Sequence, residues 1–331
     1  MSLAGSKKKG RKFQNPIPTD QGGFGIMFPI LKEYMTNKAE VVPEKTMGPF
    51  KTDTSIYQTP PQSGLRITWV GHSSLLIEID GKRILTDPVW SDRVSFTQSY
   101  GPKRFFQPPI ALDNLPPLDA VLLSHDHYDH LDKDTMKFFA GKTIPFYCSL
   151  GVSKYLTKWG IQADFITEMD WGDSVIIGGD CVITTTPARH FSGRGILNRN
   201  ETLWSSFVIK GTKHNIFFGA DSGWFPGFTD IGDTYGPFDL TILEIGAYGK
   251  HWPDIHMGPD HASNAHIALK GKIMMPIHWG TFNLALHDWY EPIEKLVTYS
   301  HEKHIDLFVP EPGKPTGVSV YNSEWWKKYM S

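Results

Sequence analysis

Four apolar residues, Ala120-Val-Leu-Leu123, run directly into Ser124-His-Asp-His-Tyr-Asp-His130, and few folds can accommodate that junction. A short unbroken apolar run reads as a strand buried on both faces, which belongs in a parallel or mixed sheet covered on each side. The polar cluster then falls at the strand's carboxyl end, where α/β sheets present their ligands. His125 and His127 stand two apart, so extended backbone points both imidazoles the same way. If the chain then turns, Asp129 and His130 face a second point nearby. Four ligand-type side chains within six residues suit two adjacent divalent ions better than one. Surface histidines beside solvated aspartates are the blander reading, and the HxHxDH spacing makes chance a poor explanation of it.

The rest of the chain agrees with a sheet-based fold. Leu65–Val70, Ser74–Ile79 and Lys82–Leu85 read as short strands, the last two joined by Asp80-Gly81, a two-residue hairpin signal. A second set follows at Ser174–Ile177, Cys181–Thr186, Trp204–Ile209, Asn215–Phe218, Leu240–Ile245 and Ile273–Ile277. Helical patterns fall at Thr135–Ala140, Val152–Trp159, Asp260–Leu269 and Glu291–His301. Two groups of strands with helices between them predict an α/β architecture, two facing sheets with helices outside.

Composition removes several classes. With 33 basic and 35 acidic residues the formal charge is −2, which gives no general attraction to nucleic acid, and none is expected as a partner. No apolar run approaches the roughly 18 residues of a spanning helix. Cys148 and Cys181 lack a CxxC spacing and read as buried reduced thiols. Residues 1–55 read as a partly flexible extension and 56–331 as the catalytic domain. Lys7, Lys8, Lys9, Arg11 and Lys12 suggest a solvated tail or attraction to anionic headgroups. Gly25–Leu31 reads as a packing arm or an interfacial segment. No signal peptide is visible, so the expected location is cytoplasmic or peripheral to a membrane. Met1-Ser2-Leu3 has the look of a cloning scar that could replace a targeting segment.

Three further residues follow apolar strands in the same manner as the cluster: His190, Asp221 and His278. Each alone is an ordinary loop residue; their common location marks them as candidate ligands. The arrangement resembles the metallo-β-lactamase fold, a four-layer αββα sandwich. Within it the chain is similar to the N-acylphosphatidylethanolamine-hydrolysing phospholipase D family and its bacterial relatives. The likeness runs from about Trp69 to Leu296. It rests on Trp69-Val-Gly-His72, Leu85-Thr-Asp-Pro88, Gly101-Pro-Lys-Arg-Phe105, Leu115-Pro-Pro, Ser124–Asp132 and Pro187-Ala-Arg-His190. Gly236-Pro-Phe-Asp239, Ile245-Gly-Ala-Tyr248 and Ile277-His-Trp-Gly-Thr-Phe282 add to it.

That resemblance implies two zinc ions per chain, with manganese or iron suited to the same positions. His125, His127 and His190 would hold one, Asp129, His130 and His278 the other, and Asp221 would bridge them. It also implies His256 near a substrate phosphate, Tyr128 as a motif tyrosine, and a homodimer. Asp126 departs from the amide usual in the animal enzymes, and Phe191-Ser-Gly-Arg194 departs from their bulkier sequence, so the substrate wall is expected to differ.

Around these, Asp87 is either the carboxylate partner of a ligand histidine or part of an Asp-Pro turn. His72 is either a supporting residue or a satisfied loop histidine. Glu244, in an apolar strand, needs a partner, either an arginine or a ligand histidine. Arg194 either neutralises a phosphate oxygen or lies exposed. The expected activity is a phospholipase D-like cleavage of a phospholipid headgroup by a metal-bridging hydroxide, with His256 or Asp126 protonating the leaving oxygen. A lactonase, or a hydrolase of a small phosphorylated compound, would use the same metals. A ribonuclease would need a basic track, a diiron oxidoreductase an acid in place of His127, and a metal-binding scaffold no catalytic surround.

Overall fold

Side-chain alternation along the strands divides the molecule into layers. In the computed structural model, which describes residues 5–22, 25, 27–195 and 197–331, a ribbon pairs β1 (Lys7–Lys9) with β2 (Lys12–Gln14). The first large sheet contains β3 (Leu65–Gly71), β4 (Ser74–Ile79), β5 (Lys82–Thr86), β6 (Ala120–Leu123), β7 (Phe146–Ser149) and β8 (Ile166–Met169). The second contains β9 (Ser174–Ile177), β10 (Cys181–Thr186), β11 (Ser206–Lys210), β12 (Asn215–Phe218), β13 (Phe238–Glu244), β14 (Gly271–Ile277) and β15 (Asp306–Val309). Two-residue strands close the edges, β16 (Thr316–Gly317) beside β3 and β17 (Tyr321–Asn322) beside β15. Each sheet is mixed. Strands β5 to β8 and β12 to β15 run parallel, while β3 to β5 and β9 to β12 are antiparallel meanders.

The helices are α1 (Met27–Thr36), α2 (Lys133–Phe139), α3 (Ser153–Lys158), α4 (Gly227–Tyr235), α5 (Gly258–Ala268) and α6 (Glu291–Lys303). Along β6, Ala120 and Leu122 enter the core between the sheets, and Val121 and Leu123 pack with Met136 and Phe139 of α2 and Leu156 of α3. Phe228, Ala262, Ala265, Ile293 and Leu296 of α4 to α6 cover the outer side of the second sheet. The result is the expected αββα sandwich. Most tryptophans serve this packing: Trp69, Trp279, Trp325 and Trp326 are buried together in the main core.

The Asp80-Gly81 hairpin forms as expected, with φ of 47° and 85° at its two residues. Both cysteines are buried and free. Among the described residues no helix is long and apolar enough to cross a membrane. The basic stretch is solvated as expected, with Lys7, Lys8, Lys9, Arg11 and Lys12 exposed, but it is an ordered ribbon: β1 and β2 pair, and Phe13 is buried against Trp171, Ala188, Leu203 and Trp204. Met1-Ser2-Leu3 lies outside the described residues, as does Ile26 of the Gly25–Leu31 run, in which Phe28 is exposed.

Candidate metal centre

The candidate residues meet because their strands end on one side of the sandwich. His72 follows β3, Asp87 follows β5, the His125–His130 cluster follows β6, and His190, Asp221 and His278 follow β10, β12 and β14. Glu244 closes β13. Backbone conformation helps aim them: His72, Asp87, Ala220, Ala247 and His278 all have positive φ, between 35° and 62°. Non-glycine residues rarely take that conformation, and its recurrence at strand ends around one site is strain held by the surrounding fold.

Three overlapping groups of potential ligands result, of which the third joins Asp221 and His278 to Glu244 and His256; the other two contain the expected ligands. In the first, Nε2 of His125 and Nε2 of His190 lie 2.8 and 3.2 Å from Nδ1 of His127. Oδ2 of Asp221 lies 3.8 Å from His125 Nε2 and 3.6 Å from His190 Nε2. In the second, His130 Nε2 and His278 Nε2 lie 3.1 and 3.2 Å from the two oxygens of Asp221. Asp129 Oδ2 is 3.6 Å from the first of these nitrogens and 3.3 Å from the second. Asp221 therefore belongs to both groups. The turn after His127 is real: His130 and Leu131 donate their N–H groups to the His127 carbonyl.

The donor set fits metal ions. Ligands about 2.0–2.1 Å from a tetrahedral zinc stand about 3.3 Å from one another, a value that the separations of 2.8 to 3.8 Å here bracket. His130 Nε2, His278 Nε2 and Asp221 Oδ1 are buried without a hydrogen-bond partner among the described residues, a costly arrangement unless a cation takes them up. Burial holds His125 and His190 well below the usual imidazole range and His127 down to about 4, leaving neutral rings with lone pairs to offer. Burial opposes charge on His130 and His278 as well, but Asp221 and Asp129 outweigh it. His130 is raised well above the normal range and His278 to about 10. These carboxylates call for positive charge, which a divalent ion supplies as it displaces protons.

Supporting bonds fix the rings. Asp87 accepts from the Ser124 backbone N–H at 2.8 Å, from Ser124 Oγ at 2.6 Å and from His130 Nδ1 at 2.8 Å. Ser124 Oγ in turn accepts from His125 Nδ1 at 2.9 Å. His190 Nδ1 donates to the Ile255 carbonyl at 2.8 Å, which turns its Nε2 lone pair to the centre. His72 Nε2 lies 3.0 Å from Asp129 Oδ2, its ring 3.9 Å from that of His278. Burial, with the charge of His278, brings the pKa of His72 down to about 3, so it donates as a neutral ring. Glu244 accepts from His256 Nδ1 at 2.6 Å and from the Ser222 N–H at 2.7 Å. Among the described residues no arginine fills that role.

A cavity of about 290 Å³ opens onto both groups, with His256, Trp252, Phe191, Leu284 and Gln21 among its walls. Three expected site residues lie elsewhere. Asp126 alternates away from its neighbours and accepts from the Gly193 N–H at 2.6 Å. Arg194 donates to the carbonyls of Asp126 and Leu131, 2.9 and 2.6 Å away, with its guanidinium over the Tyr128 ring. Tyr128 and Arg194 line a separate hollow of about 670 Å³, with Lys133, Lys158 and Trp159. Sequence reading overlooked Ser124 and Gln21. A hydroxyl immediately before the first ligand histidine was a usable signal for Ser124; Gln21 had none.

The profile of the beta-lactamase superfamily domain matches residues 82–279. The chain belongs to the metallo-β-lactamase superfamily. It is a metal-dependent hydrolase of that superfamily with a buried His/Asp site. An uncharacterized protein of Mycobacterium tuberculosis is 47% identical over 272 residues, 80% of this chain and 72% of that protein. The N-acyl-phosphatidylethanolamine-hydrolyzing phospholipase D 1 of Caenorhabditis elegans is 40% identical over 247 residues, 71% and 69% of the two chains. Among solved structures, an isothiocyanate hydrolase from Delia radicum gut bacteria superposes with a TM-score of 0.62 at 19% identity, covering 77% of this chain and 99% of that one. At that identity the likeness speaks to the fold alone.

Proposed function

We propose that this superfamily member hydrolyses a phosphodiester bond in a phospholipid headgroup, as a phospholipase D does, with zinc at both groups of ligands. The observation that carries the reading is His256: it shares one cavity with both ligand groups and is backed by the buried carboxylate of Glu244. Similarity to the nematode phospholipase D supports the choice of substrate.

Two divalent ions held by these residues would polarise a phosphoryl oxygen and acidify a shared water. The protein's own contribution is positional. Asp221 fixes the two groups relative to each other through its two oxygens. Glu244 accepts from His256 Nδ1, so that when the ring also carries a proton on Nε2, that N–H can meet a phosphoryl oxygen or pass its proton to the departing alkoxide. Trp252, Phe191 and Leu284 limit water at the reacting phosphate.

Cavity size favours a second reading, a lactone or small phosphorylated substrate. About 290 Å³ takes a headgroup, at the lower end of ordinary ligand sites, so acyl chains would lie outside it. The deciding experiment incubates the zinc-loaded protein with vesicles containing N-acylphosphatidylethanolamine and follows acylethanolamine and phosphatidic acid. Release of both is expected. Turnover of lactones or small phosphodiesters with intact lipid would replace this reading with the second.

A further inference from the structure

His190 stands beyond the end of β10, where no neighbouring strand reaches its peptide groups. A side chain takes that place. Asn15 Oδ1 accepts from the His190 N–H at 2.9 Å, and Asn15 Nδ2 donates to the His190 carbonyl at 2.7 Å. The amide's orientation follows from its partners, since a backbone N–H only donates and a carbonyl only accepts. The pair imitates one rung of a β-ladder around a residue that is itself fully buried.

Asn15 is well placed to bear that role because the segment around it is anchored on both sides. Phe13 fills the pocket formed by Trp171, Leu203 and Trp204, and its N–H donates to the Asn200 carbonyl at 2.8 Å. Arg189, next to His190, donates to Thr19 Oγ1 at 3.1 Å and to the Pro18 carbonyl at 3.0 Å. Gln21 ends the segment as a wall of the cavity, its Oε1 accepting from Asn200 Nδ2 at 3.0 Å. Phe13, Asn15, Pro18, Thr19 and Gln21 all precede the matched superfamily region, which begins at residue 82.

We propose that Asn15 is a positioning residue of the metal centre, holding His190 in register with His125 and His127 through its main chain. The inference rests on reading the two ligand groups as metal sites. Without Asn15 the buried N–H of His190 loses its partner and the C=O keeps only Gln21 Nε2, 3.3 Å away, and the turn carrying it must shift to find others. The ion shared by His125, His127 and His190 then weakens, while the group of Asp129, His130 and His278 is untouched.

The test titrates the zinc-loaded protein with a chromophoric chelator and counts ions released per chain, with the cobalt(II) spectrum as a second readout. Wild type is expected to hold two ions, and Asn15→Ala to release one of them 10–100-fold more readily. Asn15→Asp, which keeps the acceptor and loses the donor, should fall between. Thr19→Val removes two bonds of the same segment, to Arg189 and to the Ile17 carbonyl, without touching His190, and should hold both ions as wild type does. Retention of both ions by Asn15→Ala at wild-type affinity, or equal losses in Asn15→Ala and Thr19→Val, would overturn the proposal. A wild type that binds no ion would refute the metal centre itself, a failure distinguishable from either.

Discussion

Asp87 accepts a 2.8 Å hydrogen bond from Nδ1 of His130, and the same carboxylate reaches His125 through the hydroxyl of Ser124. One buried acid thus orients a histidine in each ligand group. Asp87→Asn should weaken both ions, by roughly 10–100-fold. Ser124→Ala should weaken only the ion beside His125. Chelator competition on the two variants separates these outcomes, and equal effects on both ions in Ser124→Ala would refute the relay.

Asp221 is the one residue in both groups that offers an oxygen to each. In Asp221→Asn an uncharged amide replaces the shared carboxylate, and the variant should retain at most one ion per chain. Metal analysis after exhaustive dialysis checks this. Two tightly held ions would show that the groups are independent.

His256 and Glu244 should affect turnover rather than loading. Loss of a positioned proton donor costs about 10²–10⁴ in rate, so His256→Ala should lower kcat by that order with metal content preserved. Glu244→Gln retains an acceptor for His256 Nδ1 and should cost less. A chromogenic phosphodiester gives the rates; a Glu244→Gln deficit larger than that of His256→Ala would contradict the assignment.

Away from the centre, buried His266 donates to or accepts from Thr241 Oγ1 at 2.7 Å, and burial lowers its pKa from 6.5 to about 4. A folded-state value below the unfolded one means that the unfolded chain binds the extra proton. Its contribution is therefore present above pH 6.5 and is lost as pH falls toward 4. Urea unfolding should show wild type losing roughly 2 kcal/mol more than His266→Gln between pH 7 and pH 5. Parallel pH profiles would exclude His266 as the source.

Ala247 sits at φ 59° just past β13. Relief of a left-handed conformation is worth roughly 1–2 kcal/mol, less the greater chain entropy of glycine. Ala247→Gly should therefore raise unfolding stability by about 0.5–1 kcal/mol. A measured loss would mean that the methyl group's contacts outweigh the strain.

Much of this architecture could be read from local pattern. Strands β9, β10 and β12 occupy the residues expected of them, because each carries its own local signal. Strands β7 and β15 escaped notice: four residues long, they are defined by parallel partners distant in sequence. Helix α4 was hidden behind Pro226, Gly227 and Gly232. Gly232 is there for packing, since a Cβ would stand 2.3 Å from the Ala268 carbonyl oxygen. The compact HxHxDH run announced both ligand groups. The direction of Asp126 and Arg194 was not legible, because it depends on the loop around Gly193 rather than on spacing.

Asn15 and His190 are separated by 175 positions along the chain. At a ribosomal pace of about 5–20 residues per second, the asparagine is made roughly 9–35 s before the histidine it holds. During that interval the first sheet can be completed while residues near the amino end still lack their partners. Asn15 is thus made well before the residue it holds, and its two hydrogen bonds form only after His190 has been added.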